Sequence, residues 1–386
     1  MFSSRTIVSI LMSLWLSNAA FGQVVPLPGT SPEYLRKGSE SIADIQKVVP
    51  EGKLPGKKIP YYVKAEEGQR YLVGGTVINF MSRANDSGGL FELMTITGGK
   101  GSGQGIHTHS KHHVALYMME GEADLWLDGK HYWMNRGDFA SVPENVAYGF
   151  RFAAHRTKML AWYSGTGVLP MYQALGEPTE AFVQPEVSIN EISKERVNKA
   201  EAVSDVKFLK QKIPEGRGNR IANATLPAGK VPFVLAADEG TRFVSGSEMF
   251  AFLAKQENTG GKFFVVMSQG TVSPMIALHY HELHSETFLA LEGQVSMKVN
   301  DTVLTLNPGD FAAVPARTIH AYKMDSPFTR FMGFLTPGVF QNFFTTIGEP
   351  DYKGHVYPQK AYPLRIDRVI KNLDKLDLHL LDKPAN

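Results

Sequence analysis

Along most of this chain apolar and polar residues alternate in runs of four to ten, bounded by Gly, Pro, Asn or Asp, the pattern of half-buried strands rather than helices. In the first half the runs cover 71–80, 91–97, 114–119, 123–127 and 139–142. In the second they include 262–267, 287–291, 295–299 and 311–314. Asp128-Gly129 and Asn300-Asp301 supply hairpin turns between neighbouring runs. Helical spacing is confined to short stretches, 167–175 and 338–347, the second carrying Phe340, Phe343 and Phe344. These aromatics predict a helix packed on a sheet rather than a cofactor box. A polar helical patch lies around 191–200, and 366–380 again has apolar residues at helical spacing.

The two sets of strands are copies of one another. Pro60, Gly68, Arg70, Gly74, Gly89 and Phe91 recur as Pro232, Gly240, Arg242, Gly246, Gly261 and Phe263, always at the same offset. His107-x-His109, Glu120-Gly121, Gly137-Asp138-Phe139 and Pro143 recur at that offset too, and Gly176-Glu177-Pro178 closes the first unit as Gly348-Glu349-Pro350 closes the second. A constant offset means a tandem duplication. The expected fold is all-β: two jelly-roll barrels, which remove most free strand edges, with short flanking helices.

Composition refines this picture in three ways. The formal net charge of +2 comes from scattered Lys and Arg, which excludes a nucleic-acid or membrane-surface partner as the organising function. Arg5, the apolar run 7–16 and the small residues before Gln23 predict a secretory signal over 1–22, since the run is too short to span a bilayer. Secretion makes the Asn-x-Ser/Thr triplets at Asn85, Asn223 and Asn300 candidate glycan acceptors. Cysteine is absent, which excludes thiolate metal sites and cysteine nucleophiles. The remaining segments divide as 23–178 for the first barrel, 179–230 for a linker, 231–350 for the second barrel and 351–386 for a tail laid against one barrel.

The candidate chemistry lies in the second copy. His279 and His281 fall two apart and share a face of a strand, Glu286 comes from the next stretch of backbone, and His320 follows Pro308-Gly309-Asp310 and Pro315. Three imidazoles and a carboxylate converging on one point suit a borderline divalent transition metal. The first copy keeps His107 and His109 but has Val114 and Tyr148 where the carboxylate and the last imidazole should stand, so it is expected to be metal-free. His113 reaches that site only if its loop is one residue tighter. His284, recurring as His112, reads as a supporting residue.

These motifs, H-x-H-x4-E-x6-G from His279 to Gly293 and P-G-D-x4-P-x4-H from Pro308 to His320, resemble those of the cupin superfamily. The mature chain resembles a bicupin. Tyr71-Leu72-Val73, 87–91 and 315–320 are similar to the secreted fungal quercetin 2,3-dioxygenases in particular. That resemblance implies one divalent metal per chain, copper foremost with iron or manganese as alternatives, held by His279, His281, Glu286 and His320. It also implies dioxygen and a small aromatic flavonol as substrates, and Glu286 as both ligand and general base for the 3-hydroxyl, the heterocycle opening with loss of carbon monoxide. Phe288, Tyr322 and Met324 then stand at inward positions suited to the walls of a flat substrate pocket. The chain departs from the fungal pattern in keeping its complete metal set in the second barrel instead of the first. Three other readings remain: a cupin oxidoreductase tailoring an aromatic fungal metabolite, an oxalate decarboxylase-like bicupin, and a non-enzymatic storage bicupin. The last two fit less well, because the flanks lack cationic groups for a small dianion and the ligand set is intact.

Overall fold

The computed structural model describes residues 54–185, 192–211 and 216–382, together with the backbone strands Val25–Pro26 and Gln46–Val48. The leader expected over 1–22 lies outside the described residues. Each barrel is a sandwich of an eight-stranded and a six-stranded sheet. Most expected strands appear where the alternation placed them; the run 262–267 is shifted, forming the strand Phe264–Gly270, and one run divides. The run 71–80 is two strands, Gln69–Val73 and Thr76–Ser82, because Gly74 adopts a left-handed conformation (φ 56°) and turns the chain back on itself. Gly246 does the same in the second repeat (φ 58°), between Thr241–Ser245 and Glu248–Ala254. At the first expected hairpin turn Asp128 and Gly129 both take positive φ, the pairing that matches strand twist.

The barrels exchange strands. Tyr61–Val63, which precedes the first barrel in sequence, pairs antiparallel with Phe311–Val314 of the second, with Tyr62 opposite Ala312. Reciprocally, Phe233–Leu235 pairs with Phe139–Val142 of the first, with Val234 opposite Ala140. The end of each exchanged strand is tied down by the aspartate of the Gly-Asp-Phe repeat. Asp310 Oδ1 accepts from the Ala65 N–H and Asp138 Oδ1 from the Ala237 N–H, both at 2.8 Å. Boundaries at 23–178 and 231–350 therefore do not describe the folded units, because the leading strand of each segment belongs to the other barrel.

The segments expected to be a linker and a tail are also equivalent to each other. Helices Lys194–Val203 and Ile366–Lys371 begin at positions related by the repeat offset. Each is followed by a strand, Val206–Phe208 or His379–Asp382, which pairs with the histidine-bearing strand of its own barrel. Helices Val168–Leu175 and Gln341–Ile347 lie where the aromatic spacing put them. Between the barrels Trp162 stacks on Phe334 with centroids 4.2 Å apart, and Phe91 stacks on Trp162 at 3.9 Å. Trp162 and Phe334 are repeat equivalents, so this contact marks the pseudo-twofold relation of the two halves.

Candidate metal centre

The structure brings His279, His281, Glu286 and His320 together. His279 and His320 lie directly opposite one another on paired strands of the six-stranded sheet, with ring centroids 4.3 Å apart. His281 is two residues beyond His279, its centroid 4.9 Å from that of His279 and 5.2 Å from that of His320. The three offer ring nitrogens within 4.8 Å of one another. Glu286 comes from Ser285–Glu292 of the opposing eight-stranded sheet and reaches across, Oε2 lying 3.1 Å from His320 Nε2 and Oε1 3.4 Å from His281 Nε2.

Each imidazole is fixed in the same tautomer by a backbone carbonyl. Nδ1–H of His279 donates to Ala277 (2.8 Å), that of His281 to Asp377 (2.5 Å) and that of His320 to Thr318 (2.9 Å). Each Nε2 lone pair is thereby aimed at the shared centre, and His281 Nε2 is buried with no hydrogen-bond partner. Burial, reinforced by His320, pushes His279 down to about 3, and burial with His284 pushes His281 well below its ordinary value, so both rings are neutral. Burial alone would raise Glu286, but the surrounding imidazoles outweigh it and hold the carboxyl well below the usual range. Neutral imidazoles beside an ionised carboxylate are the protonation states a divalent cation requires, so the residues present fit the implied metal.

His284 supports the ligands. Burial opposes its charge, but Asp377 and Glu286 more than compensate and its pKa is raised. Nδ1–H donates to Asp377 Oδ2 at 2.7 Å, and Nε2 lies 3.4 Å from Glu286 Oε1. Asp377 also accepts from the backbone N–H groups of Glu282, Leu283 and His284, which holds the loop between the ligands. Sequence reasoning missed Asp377, although Asp205 stands at the equivalent position of the first repeat. Asp205 accepts from His109 Nδ1–H at 2.8 Å and from the Lys111 N–H. The clusters His109–His112–Asp205 and His281–His284–Asp377 are thus a repeated tether rather than additional metal sites.

In the first barrel the converging positions are filled. Tyr148 packs on His107, with centroids 4.3 Å apart, and its hydroxyl joins a buried chain with those of Tyr163 (3.3 Å) and Tyr172 (3.4 Å from Tyr163). Burial raises all three phenols well above their ordinary range, so they stay neutral and make poor ligands. Val114 is fully buried, and His113 points away to Ser141 Oγ at 2.7 Å. Among the described residues only His107 and His109 offer nitrogens there, too few for a stable site.

A cavity of about 530 Å³ opens on His279, Glu286 and His320. Its walls include Phe250, Phe288, Tyr322, Phe331, Phe340 and Phe344, and among the described residues no Lys or Arg lines it. Phe288 and Tyr322 thus stand where the sequence placed them. Met324 does not: it is fully buried, packs over Gly270 in the core and is absent from the cavity wall. Glu248, which the alternation concealed among apolar neighbours, does line the cavity. Of the glycan candidates, Asn85 and Asn223 are exposed. Asn300 is not an accessible acceptor, being 4 % exposed at its hairpin turn with its side-chain oxygen accepting from the Ile319 N–H.

Comparison with known proteins bears on this arrangement. The profile of the cupin domain, Cupin_2, matches twice, over residues 92–163 and 263–330. A quercetin 2,3-dioxygenase of Bacillus subtilis strain 168 is 38 % identical over 328 residues, covering 85 % of this chain and 97 % of that protein. The quercetin 2,3-dioxygenase of Aspergillus japonicus is 25 % identical over 125 residues, 30 % of this chain and 36 % of that one. The likeness expected toward fungal proteins is thus more extensive toward a bacterial one. Among solved structures, Bacillus subtilis oxalate decarboxylase superposes with a TM-score of 0.47 at 14 % identity, covering 75 % of this chain and 79 % of that one.

Proposed function

Since this chain belongs to the quercetin 2,3-dioxygenase family of bicupins and is a cupin dioxygenase with a single-metal site, we propose that it opens the heterocycle of a flavonol such as quercetin with dioxygen, using copper. The observation that carries the substrate class is the cavity. Its volume, about 530 Å³, suits a flat polycyclic molecule, and its aromatic walls end at the carboxylate and imidazoles of the centre. A small dianion such as oxalate would need a cationic partner, and among the described residues no Lys or Arg lines this space.

His279, His281, Glu286 and His320 would hold the ion. Copper heads the affinity order for a mixed nitrogen and oxygen shell, and iron or manganese also satisfies it. When bound, the metal supplies Lewis-acid stabilisation of the flavonolate, which lets a carboxylate of low basicity take the proton. Glu286 receives the 3-hydroxyl proton on a carboxylate oxygen, with His284 hydrogen-bonded to that group and fixing its orientation. Phe288 and Phe340 flank the centre and offer apolar surface to the flavonolate. The products are the ring-opened ester and carbon monoxide. The leader expected over 1–22 and the exposed Asn-x-Ser/Thr positions Asn85 and Asn223 would accord with a secreted mature enzyme.

The test is incubation of copper-loaded protein with quercetin under air. Flavonol absorbance should fall with equimolar oxygen uptake and carbon monoxide release, while oxalate is left untouched. Consumption of a different enolisable aromatic, with quercetin unchanged, would move the assignment to another cupin oxidoreductase.

A further inference from the structure

Glu248 has no part in the chemistry described so far. It opens the strand Glu248–Ala254, is 7 % exposed and lines the cavity. Its Oε2 accepts from the Tyr322 hydroxyl at 3.0 Å, while Oε1 is buried with no hydrogen-bond partner. Gly270 makes the room for it, since a Cβ there would lie 3.1 Å from Glu248 Cγ and closer still to Met324. Tyr322 is two residues beyond His320 on one strand, hence on the same face and about 7 Å further along. Phe288 bridges the interval, 6.2 Å from His320 and 6.1 Å from Tyr322 between ring centroids.

A buried carboxyl with one unpartnered oxygen is costly, and anchoring a phenol does not require it. Thr76 occupies the equivalent position in the first barrel, whose interior holds the buried Tyr148–Tyr163–Tyr172 hydroxyl chain instead of a ligand set. An unsatisfied oxygen on a side chain that lines the cavity therefore points to a ligand group. Apart from Glu286 in the metal centre, Glu248 is the only acidic side chain among the described lining residues.

We propose that Glu248 is a specificity-determining residue that hydrogen-bonds a phenolic hydroxyl on the part of the substrate remote from the metal centre, so that the enzyme selects polyhydroxylated over unsubstituted flavonols. This rests on the flavonol reading above. Burial, partly offset by the Tyr322 hydrogen bond, pushes the Glu248 carboxyl up to about 7, so near neutrality it offers either an O–H or an anionic oxygen. A phenol, both donor and acceptor, satisfies either form. A carboxylate or phosphate on the substrate would be repelled by the ionised one.

The experiment compares kcat and KM for quercetin and for unsubstituted 3-hydroxyflavone in the metal-loaded native enzyme, Glu248→Leu, Glu248→Thr and Glu248→Gln. Native enzyme should favour quercetin in kcat/KM by about tenfold or more, the worth of a hydrogen bond to a buried charged group. In Glu248→Leu and Glu248→Thr that preference should collapse, chiefly through KM for quercetin, and Glu248→Gln should retain most of it. Glu248→Thr introduces the residue of the sister barrel and serves if the leucine variant does not fold. A preference unchanged in both, or an equal loss for both substrates, overturns the proposal. If no flavonol is turned over, the catalytic reading fails by itself. Glu248 is then judged by the Kd of luteolin against unsubstituted flavone, which should differ in native protein and converge in Glu248→Thr, and equal native affinities would reject it.

Discussion

Trp162 and Phe334, equivalent positions of the two repeats, stack face to face with their ring planes 3° apart. Both are buried, and Phe263 and Phe91 complete the cluster around them. Phe334→Ala should cost roughly 3–5 kcal/mol, the usual loss for a buried aromatic that leaves a cavity. Because the contact belongs to both barrels, the loss should appear in one cooperative transition. Tryptophan fluorescence, which reports on the first barrel, and metal release, which reports on the second, should give coincident urea midpoints that shift together.

Asp377→Ala removes the acceptor of His284 and of three backbone N–H groups between the ligands. Metal affinity should fall by about 10–100-fold, the usual effect of losing a group that orients ligands. Asp205→Ala, the same change at the repeat position, should lower stability yet leave metal content unaltered, as should His107→Ala. Metal retained after a graded chelator challenge, read by elemental analysis, checks all three.

Glu286→Gln keeps the shape of the side chain and the three imidazoles but removes the base. Turnover of quercetin should fall by about 10²–10⁴, with a much smaller change in the unfolding midpoint. Normal turnover in this variant would remove Glu286 from proton transfer.

Glu248 gives a pH dependence of known sign. Its folded value, raised by burial to about 7, lies above the ordinary 4.5. Its contribution to stability is therefore fully present below pH 4.5, declines as pH rises and is lost by about pH 7, at most roughly 3 kcal/mol. Glu248→Gln cannot ionise, so it should match the native protein near pH 4.5 and exceed it at about pH 8. Urea midpoints of the pair at both pH values give the difference, in which the other titrating groups cancel.

Much of this architecture was written in local pattern. The constant repeat offset, the period-two runs and the H-x-H-x4-E spacing located both barrels and all four converging side chains, because strand periodicity alone decides which residues share a face. What escaped was long-range. Nothing local to Tyr61–Val63 says that its partner is Phe311–Val314, since an exchanged strand carries the same alternation as a resident one. Asp377 was hidden because the repeat was closed at Gly348-Glu349-Pro350, before the helix Ile366–Lys371 and the strand His379–Asp382 that complete it. Met324 shares the alternation of Tyr322 but lies deeper, where Gly270 lets it settle into the core. Glu248 stands beside the apolar run that follows it, and only the folded cavity wall shows that it faces inward.

The reciprocal strands set an order on how the protein is made. When the first barrel has emerged from the ribosome, the edge beside Phe139–Val142 still lacks Phe233–Leu235, and Tyr61–Val63 has no place to go until Phe311–Val314 is synthesised late in the second repeat. Neither half is a self-sufficient module. Cutting the gene between the repeats would yield two fragments with open sheet edges, and mixing them should regenerate the enzyme only by association.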